Sequence, residues 1–327
     1  MAAPHLAVRR AVRESLRDVP NDALVLVACS GGADSLALAG ALAHLAARKG
    51  RSAGGITVDH GLQPGSADRG RGVAAALVRL RLDPVEVIHV CVPDAVHGPE
   101  GNARTARYRA LGAAAARLEA AAVLLGHTRD DQAESVLLGL ARGSGARSLS
   151  GMAPVSGRYR RPLLNLPRET VRAAVPGGLT AWHDPHNVDP AFARARVRHR
   201  VLPVLEQELG PGIASALARS ATLLRADADA LDVWAERALA ESHLGEPGTV
   251  DQRLDPGLLA TYPVAVRRRV LRRAAIAAGC PVSDLTAAHV EAIDALVSRW
   301  KGQRGVDLPG KLRASRFGGE LRIGPVD

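Results

Sequence analysis

A short apolar stretch followed by a serine- and glycine-rich turn places the strongest constraint on how this chain folds. Residues 24–28 read Leu-Val-Leu-Val-Ala, an apolar run typical of a strand that is buried on both faces. The run stops at a turn over residues 30–35, Ser-Gly-Gly-Ala-Asp-Ser, and apolar residues then recur at helical spacing as far as Lys49. Ser35 is the predicted N-cap of this helix. The segment therefore predicts a strand, a tight turn and a helix, as in α/β folds.

A turn of this kind is suited to binding an anion. The first backbone N–H groups of the helix are unpaired at the positive end of its dipole, and Gly31 and Gly32 let a ligand approach the main chain. The hydroxyl groups of Ser30 and Ser35 add donors. Asp34 would repel phosphate oxygens unless a divalent cation bridged them. The turn therefore predicts a nucleotide-phosphate site with Mg²⁺, in which Asp34 is the metal ligand.

Length and charge limit the classes of protein to consider. The chain has 327 residues, enough for two domains, and 47% of them are hydrophobic. A formal net charge of +10 and a pI near 10.6 indicate an anionic partner, and nucleic acid is the leading candidate. A coding bias towards arginine contributes to this excess.

The cysteines and the apolar runs argue against a zinc knuckle, a disulfide framework and a membrane protein. Cys29, Cys91 and Cys280 lie far apart in the sequence and form no Cys-x-x-Cys motif, which suits a reducing compartment. No apolar run approaches the length of a membrane span, and the N-terminal stretch is too charged for a secretory signal. We expect a cytoplasmic protein without a membrane partner.

Polar residues follow two further predicted strands. Asp59 and His60 end the second strand, and His127 follows a later strand. Because the carboxyl ends of parallel strands meet at one edge of a sheet, these residues should face the same crevice as Ser30. From His127, Asp131 and Glu134 follow at positions i+4 and i+7, on one side of the next helix. This cluster could hold an ammonium group or Mg²⁺, although first-turn acids also stabilise a helix start without any catalytic role.

Two arginine-rich segments are candidates for phosphate contacts. Arg104 and Arg107 lie one turn apart with Tyr108, so their guanidinium groups could reach a common anion. Residues 194–200 alternate arginine with other side chains and are suited to positioning RNA. A solvated basic surface is the alternative for both segments.

The C-terminal part is predicted from helical periodicity and a glycine pair. A connecting helix is expected from Ile213 to about Ala240, followed by two helices within residues 250–300 and a small β-hairpin around Gly318-Gly319. The first of the two helices carries five arginines between Arg267 and Arg273. The sequence leaves open whether these contact RNA or pack against the first domain.

Together, the motifs closely resemble those of the tRNA(Ile)-lysidine synthases. The Ser-Gly-Gly-x-Asp-Ser turn is similar to the pyrophosphate-binding loop of the N-type ATP pyrophosphatases. The likeness covers most of residues 22–205 and includes the stretches 58–62, 103–108, 126–134, 138–145, 161–164 and 184–192. One departure is Ala195, which lies between Arg194 and Arg196 where the family usually has asparagine. The chain is similar to the short family form with one C-terminal domain.

The resemblance implies both a fold and a reaction. The fold is an α/β, parallel-sheet, Rossmann-like ATP pyrophosphatase domain over residues 1–207, followed by a smaller, mainly helical C-terminal domain over residues 208–327 that binds tRNA. The partners are tRNA(Ile) with a CAU anticodon and free L-lysine. ATP adenylates the C2 oxygen of the wobble cytidine, and lysine then displaces AMP to form lysidine. The oligomeric state is open between a monomer and a homodimer.

The resemblance also implies roles for individual residues. ATP binding is expected from Ser30, Gly31, Gly32, Ala33, Asp34, Ser35, Asp59, His60 and Arg104. Catalysis is expected from Asp34, which also binds the metal, and from His127, Asp131 and Glu134. The lysine substrate is expected at Asp131 and Glu134, and tRNA at Arg107, Arg194, Arg196 and Arg198.

Three other functions fit parts of the sequence. A tRNA thiolase of the same fold would need a pair of cysteines or a cluster, which the cysteine spacing does not offer. A small-molecule amidotransferase or synthetase would not need the basic C-terminal half. A non-catalytic tRNA-binding protein is disfavoured by the intact phosphate loop and by the acidic cluster.

Overall fold

A computed structural model describes residues 3–61, 63–91, 98–143, 145–245 and 249–326. The chain forms two compact units that divide between Arg225 and Ala226. The helix Ile213–Ser242 crosses this division and matches the predicted connecting helix. The domain boundary expected after residue 207 stays a prediction.

The first unit alternates strands and helices, as predicted. Its strands are β1 (Val25–Ala28), β2 (Ala53–Asp59), β3 (Val85–His89), β4 (Ala122–Leu125), β5 (Val155–Ser156) and β6 (Tyr159–Arg160). Its helices are α1 (Pro4–Ser15), α2 (Ala33–Lys49), α3 (Ser66–Arg79), α4 (Gly98–Arg117), α5 (Arg129–Ala141), α6 (Ala146–Leu149), α7 (Arg168–Arg172), α8 (Ala193–Arg196), α9 (Leu202–Glu208) and the start of α10 (Ile213–Ser242). A 3₁₀ turn, Pro185–Asn187, and a π-helical turn, Val197–Val201, complete the unit.

The strands of this unit form one sheet in the order β3-β2-β1-β4-β6-β5. Strand β1 is buried along its whole length and pairs in parallel with β2 and β4. Only β5 runs antiparallel to its neighbour. The carboxyl ends of β1, β2 and β4 therefore lie side by side, and they bring the phosphate loop, Asp59 and His127 to one edge, as the sequence predicts.

Two apolar layers enclose the sheet. One contains Leu36, Leu38 and Leu42 of α2, and the other joins Leu26 and Leu125 to helix α4. This arrangement explains why β1 is apolar at every position rather than alternating.

The glycine-rich sequence of residues 63–72 predicts a loop, and this prediction is wrong, because α3 begins at Ser66. Gly65 precedes the helix with φ at +74°, a conformation that favours glycine. Gly70 is a packing residue, since a Cβ there would lie 3.2 Å from Cγ1 of Val87. The glycines that indicate a loop in the sequence therefore start the helix and let it lie against β3.

The second unit packs helices on a small antiparallel sheet. Its elements are β7 (Gln252–Leu254), α11 (Pro256–Thr261), α12 (Val264–Ala277), α13 (Ala287–Ser298), β8 (Val306–Leu308), β9 (Leu312–Phe317) and β10 (Glu320–Pro325), after the end of α10. The sheet order is β7-β10-β9-β8. The predicted hairpin is confirmed as β9 and β10, whereas β7, β8 and α11 were not foreseen.

The arginine-rich helix predicted from residues 267–273 is α12, and its arginines are used within the second unit. Arg267 is buried and its Nε lies 2.5 Å from Oδ1 of Asp294. Arg269 donates to Asp232, and Arg272 donates to the carbonyl oxygen of Leu285. These arginines thus have partners within their own unit, and a contact of the helix with RNA or with the first domain stays a prediction.

Within the described ranges, none of the helices is long and apolar enough to cross a membrane.

Candidate active site

The phosphate loop connects β1 to α2 and is closed by one of its own serines. Gly32 is the N-cap of α2, so the prediction that Ser35 caps the helix is wrong. Ser35 is buried in the first turn, where its hydroxyl donates to the Gly32 carbonyl at 2.9 Å and accepts from the Ser30 N–H at 3.2 Å. Ser35 thus fixes the loop, while the N–H groups of residues 33–35 have no partner within the helix.

Two glycines are needed because other elements come close to the loop. Gly31 has φ at +83°, and a Cβ there would lie 2.7 Å from Cγ2 of Val73. Gly126, after β4, approaches so closely that a Cβ would lie 3.2 Å from the Cα of Ser35. Any larger residue at either position would push the loop out of place.

A cavity of about 350 Å³ opens beside the loop, within the size range of small-ligand pockets. Its walls come from the loop, the ends of β1 and β2, helices α3 and α4, and the segment 182–187. Trp182 donates its backbone N–H to the carbonyl of Gly31 at 2.9 Å, and its ring lies 3.9 Å from the Arg69 guanidinium carbon. Gln63 donates to Asp184 at 3.1 Å across the same opening.

Asp59 and His60 both line this cavity, as expected for strand-end residues. The Asp59 carboxylate accepts from the Gly61 N–H at 3.0 Å and lies 3.2 Å from Nδ1 of His89, so it supports the loop after β2. Burial lowers the pKa of His60, and the nearby Arg107 lowers it further. Leu62, part of the resemblance, lies outside the described residues, as does Ser144.

The two arginines predicted to share one anion differ in their position relative to the cavity. Arg107 lines the cavity, and burial lowers the pKa of its guanidinium. Arg104 is exposed, lies over the Tyr108 ring at 5.1 Å and is not among the residues that line the cavity. Arg107, assigned to tRNA on sequence grounds, is therefore placed at the candidate nucleotide site.

The acidic residues predicted after β4 lie at the start of α5. Thr128 and Asp131 form a capping box: Oδ2 of Asp131 accepts from the Thr128 N–H at 2.7 Å. Glu134 is one turn later and 0% exposed. The capping role and the clustering expected from sequence therefore both hold for Asp131.

Three arginines neutralise this acid pair. Arg168 donates to Oδ1 of Asp131 at 2.8 Å and to Oε1 of Glu134 at 2.9 Å. Arg198 donates to both oxygens of Glu134, at 2.7 and 3.0 Å, and to Asp131 at 3.1 Å. Nε of Arg194 lies 3.6 Å from Glu134. Burial raises the pKa of Asp131, but Arg168 and the Thr128 N–H outweigh it and hold that pKa below its usual value.

Three arginines of the basic stretch 194–200 have partners within the protein. Arg194 and Arg198 are directed at Glu134 on α5. Arg196 donates to the carbonyl oxygens of Pro190 and Ala191 at 2.7 and 2.8 Å. Their predicted contact with tRNA stays a prediction, and so does lysine binding by the acids. An ammonium group would first have to displace a guanidinium.

Asp34 lies between the phosphate loop and the acid pair. Its carboxylate oxygens are 3.9 Å from Nε of Arg168 and 3.9 Å from Nε of Arg172. Burial raises the pKa of Asp34 to about 6, with a further contribution from the charge of Asp131. Its Oδ1 is buried without a hydrogen-bond partner in the described part of the chain. Among the described acids, Asp34 thus connects the phosphate loop with the part of the site that contains Asp131 and Glu134.

Sequence reasoning missed Arg168 and Trp182. Arg168 follows Pro167 at the start of α7, a five-residue helix with no motif of its own. Trp182 lies in a segment without regular structure. Only Trp182 could have been singled out from the sequence as a candidate site residue. Tryptophan occurs 3 times in the chain, and Trp182 is followed closely by the motif over residues 184–192.

His127 should make the stability of the first unit depend on pH. Burial lowers its pKa to about 3, and Arg107 contributes. Between pH 3 and about 6.5 the unfolded chain therefore binds more protons at this residue than the folded chain, so stability rises with pH by up to about 1.4 kcal/mol per unit. We expect the melting temperature of the wild type to fall more steeply from pH 7 to pH 5 than that of His127→Gln. The exposed His5→Gln is the control, and parallel curves for wild type and His127→Gln would contradict the prediction.

Comparison with known proteins agrees with this geometry. Residues 4–205 match the model of a PP-loop domain, and residues 254–322 match that of the TilS substrate binding domain. The chain is 60% identical to tRNA(Ile)-lysidine synthase of Thermobifida fusca over 98% of this chain and 97% of that protein. This chain belongs to the tRNA(Ile)-lysidine synthase family. The enzyme of that name from Streptomyces coelicolor is 58% identical over 93% of this chain and 86% of its own length.

A solved structure supports the fold. The U34-tRNA thiolase NcsA from Methanococcus maripaludis, solved with its [4Fe-4S] cluster, covers 67% of this chain and 78% of its own with a TM-score of 0.55 and 21% identity. At that identity the likeness shows the PP-loop fold alone. Membership in the tRNA(Ile)-lysidine synthase family confirms an ATP-dependent ligase that modifies tRNA, and it sets aside the three other functions that the sequence left open.

Proposed function

We propose that this protein joins free L-lysine to the wobble cytidine of tRNA(Ile) with a CAU anticodon, in the cytoplasm. The observation that carries this proposal is the meeting of two half-sites at Asp34. A phosphate loop with a ligand-sized cavity lies on one side, and a buried cluster of acids and arginines lies on the other. A two-step reaction needs such an arrangement, because the α-phosphorus of ATP must reach the C2 oxygen of the base and the amine must then reach the carbon that carries this oxygen.

In the first step the C2 oxygen of cytidine attacks the α-phosphorus of ATP, and the bond to pyrophosphate breaks. The N–H groups of residues 33–35 and the hydroxyl of Ser30 would bind the pyrophosphate, and Gly31 and Gly32 would allow its approach. Arg107, with the neutral His60 beside it, would contact the nucleotide in the cavity. The target base must leave the anticodon stack to reach this position.

The residues present fit a bound Mg²⁺. Asp34 offers a buried carboxylate oxygen that has no partner in the described part of the chain, next to the position expected for phosphate oxygens. Magnesium in nucleotide sites commonly uses one or two carboxylates together with the phosphates. When bound, the ion would neutralise charge on the leaving pyrophosphate. Within the described residues, no group of three or more histidine, cysteine, aspartate or glutamate side chains is arranged so that it could hold a metal ion without other ligands.

In the second step the ε-amine of lysine attacks C2, and AMP leaves with the former C2 oxygen. His127 follows β4 at the sheet edge shared with the loop and is neutral at pH 7, because burial lowers its pKa to about 3. It would serve as a hydrogen-bonding group at the adenylate rather than as a cation. Asp131 and Glu134, with their arginines, would form the wall where lysine binds.

A single assay tests the whole proposal. Purified protein is given ATP, Mg²⁺ and radiolabelled lysine with an unmodified tRNA(Ile) transcript, or with one whose wobble cytidine is replaced by uridine. We expect pyrophosphate release and lysine retention on the RNA only with the cytidine. Release with either RNA, or with none, would overturn lysidine formation. Size-exclusion chromatography of the same preparation distinguishes a monomer from a homodimer.

The second unit offers a specific candidate for RNA contact. Phe317 ends β9 at the tip of the hairpin and is 89% exposed, although it is a large aromatic residue. Its neighbour Arg316 lies over the Trp300 ring and donates to the Leu296 carbonyl, so the hairpin is anchored to α13. An exposed ring on a fixed hairpin is suited to stacking on an unpaired base.

Phe317→Ala should therefore weaken tRNA binding without affecting folding. Stacking contributes about 1–3 kcal/mol per base, so affinity should fall by roughly 5- to 100-fold. Filter binding at fixed salt measures the affinity, and thermal melting should be unchanged. Val282→Ala, which truncates another exposed apolar residue of the same unit, is the control. Equal affinities for the two variants would remove Phe317 from the RNA surface.

A further inference from the structure

Arg168 occupies a position in the site that none of the sequence motifs explains. It is the first residue of α7, and its backbone N–H donates to Oδ2 of Asp130 at 2.8 Å. The N–H of Arg129 in turn donates to the carbonyl of Leu166 at 3.0 Å. The backbone N–H groups of Arg168 and Arg129 therefore hold the start of α7 against the start of α5, in addition to the contacts that the Arg168 side chain makes.

The guanidinium group of Arg168 bridges two carboxylates that are three residues apart on one face of α5. Its terminal nitrogen reaches Oδ1 of Asp131 and Oε1 of Glu134, and the side chain is only 11% exposed. A planar group that donates to two carboxylates and is shielded from water holds these partners in a narrow range of positions.

Another nitrogen of this group, Nε, lies on the side of the phosphate loop. Nε of Arg168 lies 3.9 Å from Asp34 and is buried without a hydrogen-bond partner among the described residues. A single side chain is thus within 4 Å of all three acids to which the proposed reaction assigns a role. It fixes the spacing between the acid next to the phosphates and the acids next to the amine.

Arg198 contacts the same acid pair but is placed differently. It lies in the π-helical turn Val197–Val201, and its side chain forms ion pairs with Asp131 and Glu134. Arg168 differs in reaching Asp34 as well and in having its main chain tied to α5. Of the two, only Arg168 therefore connects both halves of the site.

We infer that Arg168 is a positioning residue for the lysine-transfer step: it holds Asp131 and Glu134 in register with Asp34, so that the amine meets the adenylated carbon. This inference rests on the proposed function. It assigns Arg168 no contact with ATP, and the adenylation step should therefore depend on it much less than the transfer step.

The test measures the two steps separately in Arg168→Gln, Arg168→Lys and Arg172→Gln. Cytidine-dependent pyrophosphate release in a single turnover reports adenylation, and labelled lysine on the RNA reports transfer. In Arg168→Gln we expect kcat/KM for lysine to fall about 10- to 100-fold, as for other residues that orient a reacting group, while pyrophosphate release changes by less than about threefold. Arg168→Lys keeps the positive charge but lacks the planar guanidinium group, so its kcat/KM for lysine should lie between the values of wild type and Arg168→Gln.

Arg172→Gln separates positioning from simple charge. Arg172 lies at the same 3.9 Å from Asp34, but it forms no ion pair with Asp131 or Glu134 in the described residues. It should therefore affect the lysine step less than Arg168→Gln does. Equal effects of the two variants, or equal losses in both steps, would overturn the inference. If Arg168→Gln does not fold, an unchanged kcat/KM for lysine in Arg168→Lys would overturn it equally.

The outcomes also distinguish this inference from the function on which it rests. A wild type that transfers no lysine would overturn the proposed function and the inference together. A wild type that transfers lysine, with an Arg168→Gln variant of unchanged lysine kinetics, would overturn the inference alone.

Discussion

Asp34→Asn is expected to lower cytidine-dependent pyrophosphate release by roughly 1,000-fold, because a carboxylate that binds a metal contributes several kcal/mol to charge stabilisation. The amide has the size of the carboxylate, so the first turn of α2 should be preserved. It cannot supply the charge that a cation beside the phosphates needs. Asp34 is also the described acid closest to the loop, with a buried oxygen that has no partner in the described ranges.

Two measurements check this prediction. Pyrophosphate release is followed at several Mg²⁺ concentrations, and the thermal melting curve confirms that the variant is folded. Asp68→Asn, an exposed first-turn acid of α3, is the matched control and should behave as wild type. Near-normal release by Asp34→Asn at low Mg²⁺ would show that Asp34 is not the metal ligand.

The second large effect is on stability: Glu134→Ala should lower the free energy of unfolding of the first unit by about 3–5 kcal/mol. The carboxylate is 0% exposed and is the shared acceptor of Arg168 and Arg198, with Arg194 at 3.6 Å. Its removal leaves buried guanidinium groups with less negative charge close to them. The cost arises from these uncompensated charges more than from lost packing.

Urea unfolding of wild type, Glu134→Ala and Glu134→Gln measures this effect. The glutamine variant keeps the shape and one acceptor oxygen, so it should lie between the other two proteins. Glu169→Ala, an exposed acid on the neighbouring helix α7, is the control and should change stability by less than about 0.5 kcal/mol. A Glu134→Ala midpoint equal to that of Glu169→Ala would show that the arginines find other partners.

Much of the fold could be predicted from the sequence because its signals are local. The apolar run of β1 and the turn at Gly31-Gly32 specify a buried strand and an anion-binding loop within a dozen residues. Thr128 and Asp131 likewise specify the start of α5 within four residues, and the capping box is present. Local signals failed where glycine had a packing role, as at Gly70, which indicates a loop in the sequence but allows α3 to lie against β3.

The candidate site could be predicted only in part, because its charges pair over long distances in the chain. Arg168 follows Glu134 by 34 residues and Arg198 follows it by 64, and no spacing rule connects them. Arginines in a row indicate a basic surface, yet Arg194 and Arg198 face α5, and Arg267 faces Asp294 in the second unit. The partner of a long, flexible side chain depends on how the backbone folds, so it cannot be predicted from the residues next to it in the sequence.

The sequence by itself determined the alternation of strands and helices in the first part of the chain, the phosphate loop and the family. It did so because backbone conformation depends mainly on residues within one or two helical turns along the sequence. In addition, a glycine-rich loop between a buried strand and a helix is typical of an anion-binding site. The tertiary structure decided which charges meet. Only the folded sheet placed Arg107 in the cavity beside the phosphate loop, set Arg168 between Asp34 and the acid pair, and covered Glu134 with guanidinium groups. Electrostatic partners follow distance in space, and in this chain that distance is set by the packing of α5, α7 and α8 beside the loop.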